Sequence, residues 1–481
     1  MGHGRLSPSC SGVSTYCRNR SRRPGCAIIE PIMRRRLCTC VAIAAIVGAG
    51  VSTAATRPPK LQYEIATLPN GLTVVLSEDH STPIVHVELW YHVGSKNERP
   101  GLTGFAHLFE HLMFNGSKNV RSDEHTSMIA SNGGQSNAYT TEDTTVFWET
   151  VPAHYLPVVL WMEADRMASL QIDEKALASE REVVKEERRM RVDNQPFGRL
   201  SEIIYDQAYS VHPYKHPTIG SMADLEAASV EDVRSFYETY YVPSNATIVL
   251  VGDFESGAAM DLVTQYLGRV PGVERPVPRD IPQEPPWERE RRVALEESWP
   301  LPAVVVVHKI PFDGHPDSYP LHFASKILSD GQSSRIYRRL VYEEQLALAA
   351  FGQGAIVEDP SLFFAVALVQ PGRMPANAER ALRDELERLK TELVSPRELE
   401  RVKNQFARDY ILGRTSNQQK AMHLAHAAVI HDDITTADGE FDIFMNITAE
   451  DVQRVAQTYF TNDNRLILTI MPRNATSGGA P

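Results

Sequence analysis

The chain has 481 residues, 42% of them hydrophobic and 23% charged, enough to bury the cores of two to four domains without disulfide staples. Its formal net charge is −12, and eight of its 49 basic but only one of its 61 acidic side chains lie in the first 55 residues; without them 41 basic groups face 60 acidic ones, a net charge near −19. A surface of that sign excludes a nucleic-acid partner. All five cysteines (Cys10, Cys17, Cys26, Cys38, Cys40) also sit at the N-terminal end, so the body has no material for disulfides, thiolate zinc sites or cysteine nucleophiles.

Residues 1–32 are a basic, Ser- and Arg-rich extension with no core-forming pattern. Residues 33–56, MRRRLCTCVAIAAIVGAGVSTAAT, place three arginines before a short apolar run and then small residues. That is the layout of a secretory signal peptide, with an apolar run too short to remain as a membrane span. Residues 1–55 therefore read as an extension plus cleavable signal, with Met33 a candidate start, and the mature chain is expected in the periplasm. A mitochondrial presequence is the alternative, because the same residues hold eight arginines and one acid.

The segments GLTVVLSED and IVHVELWYHVG (71–79 and 84–94) read as strands. FAHLFEHLMFNG (105–116) then reads as a helix whose His107 and His111, four apart, project from one face, with Glu110 beside them. Next comes an acid-rich helix, DEKALASEREVVKEERRMRV (173–192). On its helical wheel Val183 and Val184 straddle one direction, with Ala176 and Leu177 around it, and Glu180 and Glu187 point between the two valines. Glu182 and Glu186 point the opposite way, into solvent. Two carboxylates aimed at an apolar face are costly unless a cation or donor meets them. Two imidazoles, one carboxylate and an open position for water make a catalytic zinc site, and on geometry either Glu187 or Glu180 suits as the third ligand. His212 and His216 in VHPYKHP also stand four apart, but the two prolines make that stretch a loop. GGQS and DGQSSR are glycine turns with no following Lys-Ser/Thr to hold a nucleotide.

The chain repeats itself. SVEDVRSFYETYYVPSNATIVLV (229–251) and TAEDVQRVAQTYFTNDNRLILTI (448–470) align at an offset of 219, each reading as a helix N-capped by Ser229 or Thr448, a turn and a β-branched strand. Between the copies, PGVERPVPRDIPQEPPWERERR (271–292) carries six prolines and reads as an extended linker. The expected architecture is α+β: two similar modules, 56–270 and 293–481, each a mostly antiparallel sheet packed with helices. Aligning FAHLFEHL with FASKILSD (323–330) puts Ser325, Leu328 and Ser329 at the places of His107, Glu110 and His111, so the second module is not expected to hold a metal site of its own.

These features together resemble the pitrilysin family of inverted-motif zinc peptidases, which includes insulin-degrading enzyme and the mitochondrial processing peptidase. The resemblance rests on HLFEH, on ASEREVVKEERRMRV farther along, on GGQSNAYTTEDTTVFWETVP between them and on the Pro-linked duplication. It implies one Zn2+ per chain held by His107, His111 and Glu187, with Glu110 as general base and Glu180 a carboxylate behind the ligands. It also implies that residues 137–145 form an edge strand pairing with an extended peptide through Asn137, Ala138 and Tyr139, and that the two modules make half of a clamshell. In the family an arginine and a tyrosine seven residues later complete the active site; the matching positions here are Val341 and Leu348, which donate no hydrogen bond. The implied arrangement is a heterodimer with a homologous, metal-less subunit that supplies the pair, as in the processing peptidase. The implied activity is hydrolysis of internal peptide bonds in short or unfolded polypeptides; the alternative is a non-catalytic core subunit of the same family.

Overall fold

The computed structural model describes residues 57–473 apart from Asp123, so the expected extension and signal peptide lie outside the described residues. Among the described residues no helix is long and apolar enough to cross a membrane. One sheet holds β1 (Glu64–Thr67), β2 (Thr73–Glu78), β3 (Ile84–Tyr91), β4 (Gln135–Thr140), β5 (Thr145–Pro152) and β6 (Ala246–Gly252), in the order β1-β2-β6-β3-β5-β4. The other holds β7 (Arg291–Glu297), β8 (Ala303–Ile310), β9 (Ala347–Ala355), β10 (Ser361–Val369) and β11 (Leu466–Pro472), in the order β7-β11-β8-β10-β9. Without β1 the two orders superimpose strand for strand. The parallel pair matches too: β2 with β6 in one sheet, β7 with β11 in the other, every other pairing being antiparallel. The α+β reading holds.

The helices that matter for the site are α1 (Phe105–Leu112), α2 (Glu174–Arg188), α3 (Leu200–Ala208), α4 (Val230–Tyr240), α5 (Ser318–Ser329), α6 (Asn417–Val429), α7 (Thr436–Asn446) and α8 (Ala449–Tyr459). Helices α4 and α8 are the repeated ones. Each opens with a reciprocal capping box, Ser229 with Asp232 and Thr448 with Asp451, which satisfies backbone N–H groups that have no partner inside the helix. Each is followed by an asparagine doing one job. The Asn245 amide donates to the carbonyls of Tyr240 and His92, and the Asn464 amide to those of Tyr459 and Lys309. The repeat thus conserves a side chain that bolts a helix end to the neighbouring strand.

Strands β6 (ATIVLVG) and β8 (AVVVVHKI) read as unbroken apolar runs, the pattern of a strand buried on both faces. The two halves bury each other. Ile248 and Leu250 of β6 face the first half's own core, whereas Val249 and Val251 pack with Ala421, Leu424 and Ala425 of α6, a helix from the second half. Reciprocally, Val304 and Val306 of β8 face the second half's core, whereas Val305 and Val307 pack with Ile203 and Ile204 of α3, a helix from the first. Lys96, nearly inaccessible, adds a polar rivet, its Nζ lying 3.0 Å from Asp143, 2.8 Å from Glu358 and 3.0 Å from Asp359. Residues 271–290 hold no helix or strand, and Arg291 and Arg292, expected in the linker, already belong to β7, paired with Leu466 and Ile467. No proline lies between Pro286 and the end of β7, so nothing prevents those residues from joining a ladder.

Candidate functional site

Helix α1 begins after Gly104, whose φ of 92° is left-handed and where a Cβ would come within 2.8 Å of the Ile219 carbonyl. No side chain caps it from the usual position. Instead the buried Glu98 accepts from the backbone N–H groups of Gly104 and Ala106, both at 2.8 Å, placing carboxyl oxygens at the positive end of the helix dipole. Phe105, Ala106, Leu108, Phe109 and Leu112 are buried, and Phe109 stacks on Tyr237 and Tyr241 with ring centroids 5.8 and 4.7 Å away. His107, Glu110 and His111 occupy the opposite side of the helix, turned toward α2. They form a face of their own.

Helix α2 is N-capped by Asp173, which accepts from Ala176 N. It places Glu180 and Glu187 against that face. Glu187 Oε2 lies 3.3 Å from His111 Nε2 and 3.7 Å from His107 Nε2, and Glu180 Oε2 lies 3.3 Å from His111 Nδ1. The wheel reading of α2 needs one correction. Val184 is buried but Val183 is 48% exposed, so the buried stripe is centred on Leu177, Val184 and Arg188 and the two glutamates flank it toward α1. Glu182 and Glu186 point to solvent as expected.

The electrostatics follow from this packing. Burial, then the neighbouring His111, lowers His107 and keeps its ring neutral. Burial pulls His111 down as well, but the Glu180 contact and the Glu187 and Glu110 carboxylates outweigh it and raise it. Burial raises Glu110, partly offset by the Thr140 hydroxyl, which donates to its Oε2 at 2.7 Å. Thr140 escaped the sequence reading, as did Arg191, whose guanidinium sits 2.5 Å from Glu187 Oε1. The i, i+4 spacing of Glu187 and Arg191 was a usable signal; the Thr140 contact crosses from strand to helix and had none.

The donor set suits a divalent ion. With metal–ligand bonds of about 2.0–2.1 Å in a tetrahedron, ligand atoms stand roughly 3.3–3.4 Å apart. The carboxylate oxygen here is 3.3 and 3.7 Å from the two imidazole nitrogens, and one ligand atom from each of His107, His111 and Glu187 falls within 4.8 Å of the others. Glu110, His111, Asn115, Asn137 and Glu180 border an adjoining cavity of about 300 Å³. A larger one, about 840 Å³, lies beneath linker residues 278–282 and is lined by none of His107, Glu110, His111 and Glu187.

The expected edge strand is β4, which ends at Thr140; Thr145 already begins β5, so the stretch predicted at 137–145 also spans the intervening turn. β4 is the outermost strand and pairs only with β5. Asn137 borders the small cavity, Ala138 is buried in the core beneath α1, and the Tyr139 ring meets Trp90 edge-on. In the second half, Ser325 accepts from Gly354 N at 2.9 Å and Ser329 donates to Gly352 O at 2.8 Å, so α5 clasps β9 where α1 presents its histidines. Val341 packs into the second core, while Leu348 is 55% exposed on β9.

Comparison with known proteins bears on both halves. The profile described as Insulinase (Peptidase family M16) matches residues 73–222, which include His107, Glu110, His111 and Glu187, and that described as Peptidase M16 inactive domain matches residues 227–406. The chain is 31% identical over 414 residues to "Zinc protease PqqE" of Helicobacter pylori, covering 85% of this chain and 93% of that protein. It is 23% identical to "Uncharacterized zinc protease YmxG" of Bacillus subtilis, covering 84% of this chain and 97% of the other. Among solved structures, a protease from Helicobacter pylori matches with a TM-score of 0.82 at 31% identity, covering 86% of this chain and all of that one. The periplasmic protease PqqL from Escherichia coli shares the fold, with a TM-score of 0.69 at 19% identity, across 88% of this chain but 49% of that one. With a relative this similar along nearly its whole length, the chain belongs to the insulinase family, peptidase family M16.

Proposed function

We propose that this chain is a zinc metalloendopeptidase that cuts internal bonds of short or unfolded polypeptides. The observation that carries the reading is the convergence of His107, His111 and Glu187 on one point with Glu110 at its edge. Those three residues would hold the ion, and zinc bound there would lower the pKa of water and polarise the scissile carbonyl. Glu110, held by Thr140 and raised by burial, accepts the proton of the attacking water and returns it to the leaving amine. Glu180 accepts from His111 Nδ1–H, which leaves Nε2 as the ligating nitrogen and fixes the ring. An extended substrate adds to the free edge of β4 at Asn137, Ala138 and Tyr139; backbone pairing gives affinity with little sequence readout.

The working enzyme is a heterodimer. No polar side chain stands at Val341 or Leu348, and PqqL, which shares the fold, is a chain of about twice the matched length. A homologous subunit without the metal face supplies the missing arginine and tyrosine. The leader-like N-terminus, and the description of PqqL as periplasmic, favour the periplasm.

The test is metal content and peptide hydrolysis of the protein with and without its candidate partner. Glu110→Gln is expected to keep zinc and lose about 10²–10⁴-fold in rate, whereas Glu187→Gln loses both metal and activity. Hydrolysis unchanged by Glu110→Gln refutes the mechanism, absence of hydrolysis by the zinc-loaded protein together with its partner leaves the non-catalytic role, and full turnover by the isolated chain refutes the partner.

A further inference from the structure

Two further groups of histidine and carboxylate converge among the described residues. In one, His125, Glu149 and Glu163 are fully buried, but Arg166 supplies the cation there, its Nε 2.8 Å from Glu163. The other has no such cation. Asp313, on the loop after β8, directs Oδ2 at two imidazoles, 3.3 Å from Nε2 of His426 near the end of α6 and 3.4 Å from Nε2 of His431 in the corner before α7. Among the described residues, no lysine or arginine nitrogen lies within 4 Å of that carboxylate.

The hydrogen bonds around the cluster fix which atoms are free. Asp313 Oδ1 accepts from Gly314 N at 2.9 Å, which leaves Oδ2 for the histidines, and Asp313 N donates to the Val357 carbonyl at 2.8 Å, which anchors the loop. The Thr436 hydroxyl donates its one proton to the Asp433 carbonyl at 2.8 Å, so toward His431 Nδ1, also 2.8 Å away, it can only accept. Nδ1 of His431 therefore carries a proton, and in the neutral ring Nε2 holds a lone pair. The His431 side chain is 6% exposed, and its Nε2 is buried without a hydrogen-bond partner while facing a carboxylate oxygen. A lone pair opposite an anion needs a cation between them, a proton or a metal ion, and an ion shared with His426 serves both imidazoles at once. Two imidazoles sharing one oxygen at 3.3 and 3.4 Å match the ligand spacing of a tetrahedral ion.

The repeat shows how the other half solves the same problem. His212 and His431 stand 219 apart, the offset of the duplication, and each follows the helix that crosses to the other half's sheet. His212 Nε2 faces Asp359 at 3.6 Å, and there the Lys96 ammonium is the cation, 3.0 Å from the same carboxylate oxygen. No ammonium occupies the corner at His431.

We propose that Asp313, His426 and His431 form a second divalent transition-metal site, with zinc the ion that two imidazoles and a carboxylate favour. The ion ties the corner between α6 and α7 to the loop after β8. Because α6 covers the first sheet, it clamps the interface between the halves. His426 is 44% exposed and Asp313 19%, so solvent reaches the fourth position and supplies the entry path.

The site is tested without reference to peptidase activity, in full-length protein carrying His107→Gln and Glu187→Gln so that the first candidate site is removed. Chelator-stripped and titrated with Zn2+ by calorimetry, that protein is expected to take up one equivalent and to gain thermal stability. Adding His426→Gln, at a half-exposed position that circular dichroism should show still folded, abolishes both, and Asp313→Asn does the same. No uptake by the His107→Gln, Glu187→Gln protein overturns the proposal, as does an equivalent that survives both His426→Gln and Asp313→Asn. Failure of the first site would be read separately, as zinc uptake by the unmodified protein that Glu187→Gln does not reduce.

Discussion

Replacing Thr140 with valine tests whether Glu110 is the base, because it removes one hydroxyl and keeps the shape and β-branching that suit the strand. Thr140 Oγ1 donates to Glu110 Oε2 at 2.7 Å, and burial raises Glu110 while this bond holds it down. A hydrogen bond to a charged group contributes about 1.5–3 kcal/mol when water cannot replace it. Glu110 borders an open cavity, so water recovers part of that bond. About 1 kcal/mol should remain, equivalent to roughly 0.7 of a pH unit. The sign is fixed: losing a donor to the ionised form raises the Glu110 pKa, and the basic form then appears only at higher pH. The acid limb of kcat/KM therefore moves upward by somewhat under one unit, while the plateau above it moves much less. The assay is hydrolysis of a quenched fluorescent peptide across the pH range, with the metal content of each sample matched. Thr140→Ser keeps the hydroxyl and should track the unmodified enzyme. A limb that stays put, moves to lower pH, or moves as far for serine as for valine would refute the assignment of Glu110.

Lys96→Met leaves Asp143, Glu358 and Asp359 without their shared cation. Breaking a buried pair costs about 3–5 kcal/mol, and with Glu358 and Asp359 each about a quarter exposed roughly 2–3 kcal/mol is expected by urea denaturation, a loss near zero being the contrary result. Leu424→Ala empties a fully buried site between α6 and the first sheet and should cost about 2–5 kcal/mol in the same experiment. Burial lowers His308 to about 3, and His322 and His423 to about 4 each. These folded values lie below the roughly 6.5 of an unfolded histidine, so the stability they contribute is whole above that pH and is lost as the pH falls toward 4 and then 3. Melting temperatures recorded between pH 7.5 and 4 should fall, less steeply in His322→Gln, and a flat profile would count against the burial of these rings.

The parts of the fold legible in the sequence were those encoded over a few residues. The boxes Ser229–Asp232 and Thr448–Asp451 mark two helix starts by local spacing alone, and the offset between them revealed the duplication. The pairing of His107 and His111 with Glu180 and Glu187 was legible because each pair repeats on one face of its helix. Val183 was misplaced because a helical wheel gives directions without saying where the neighbouring element lies; Leu177 and Arg188 shift the buried stripe away from it. The mutual covering of the halves was half legible. The runs TIVLV in β6 and VVVV in β8 announce strands buried on both faces, but nothing local says that the second covering helix comes from the other half. Thr140, Arg191 and the cluster at Asp313 needed three-dimensional neighbours. The cluster draws on residues more than a hundred positions apart, and neither His426 nor His431 falls at helix-face spacing from its partner.

Duplication left two copies of one framework, and their differences say what each is for. In the first copy α1 turns two imidazoles and a carboxylate toward α2 and leaves the edge of β4 free; in the second, Ser325 and Ser329 spend the same helix face on clasping β9. One edge is kept open beside the chemistry and the other is closed. The crossing helices α3 and α6 then make each half's outer sheet face depend on the other half, with Lys96 riveting the contact. Separating the halves would expose two apolar sheet faces and strip Glu358 and Asp359 of their cation, a cost far above what a single bound peptide returns. Under the proposed function, then, the chain does not close around a substrate by opening and shutting its own two modules. It acts as one jaw, and enclosure of the peptide, like the missing arginine and tyrosine, has to come from a second body.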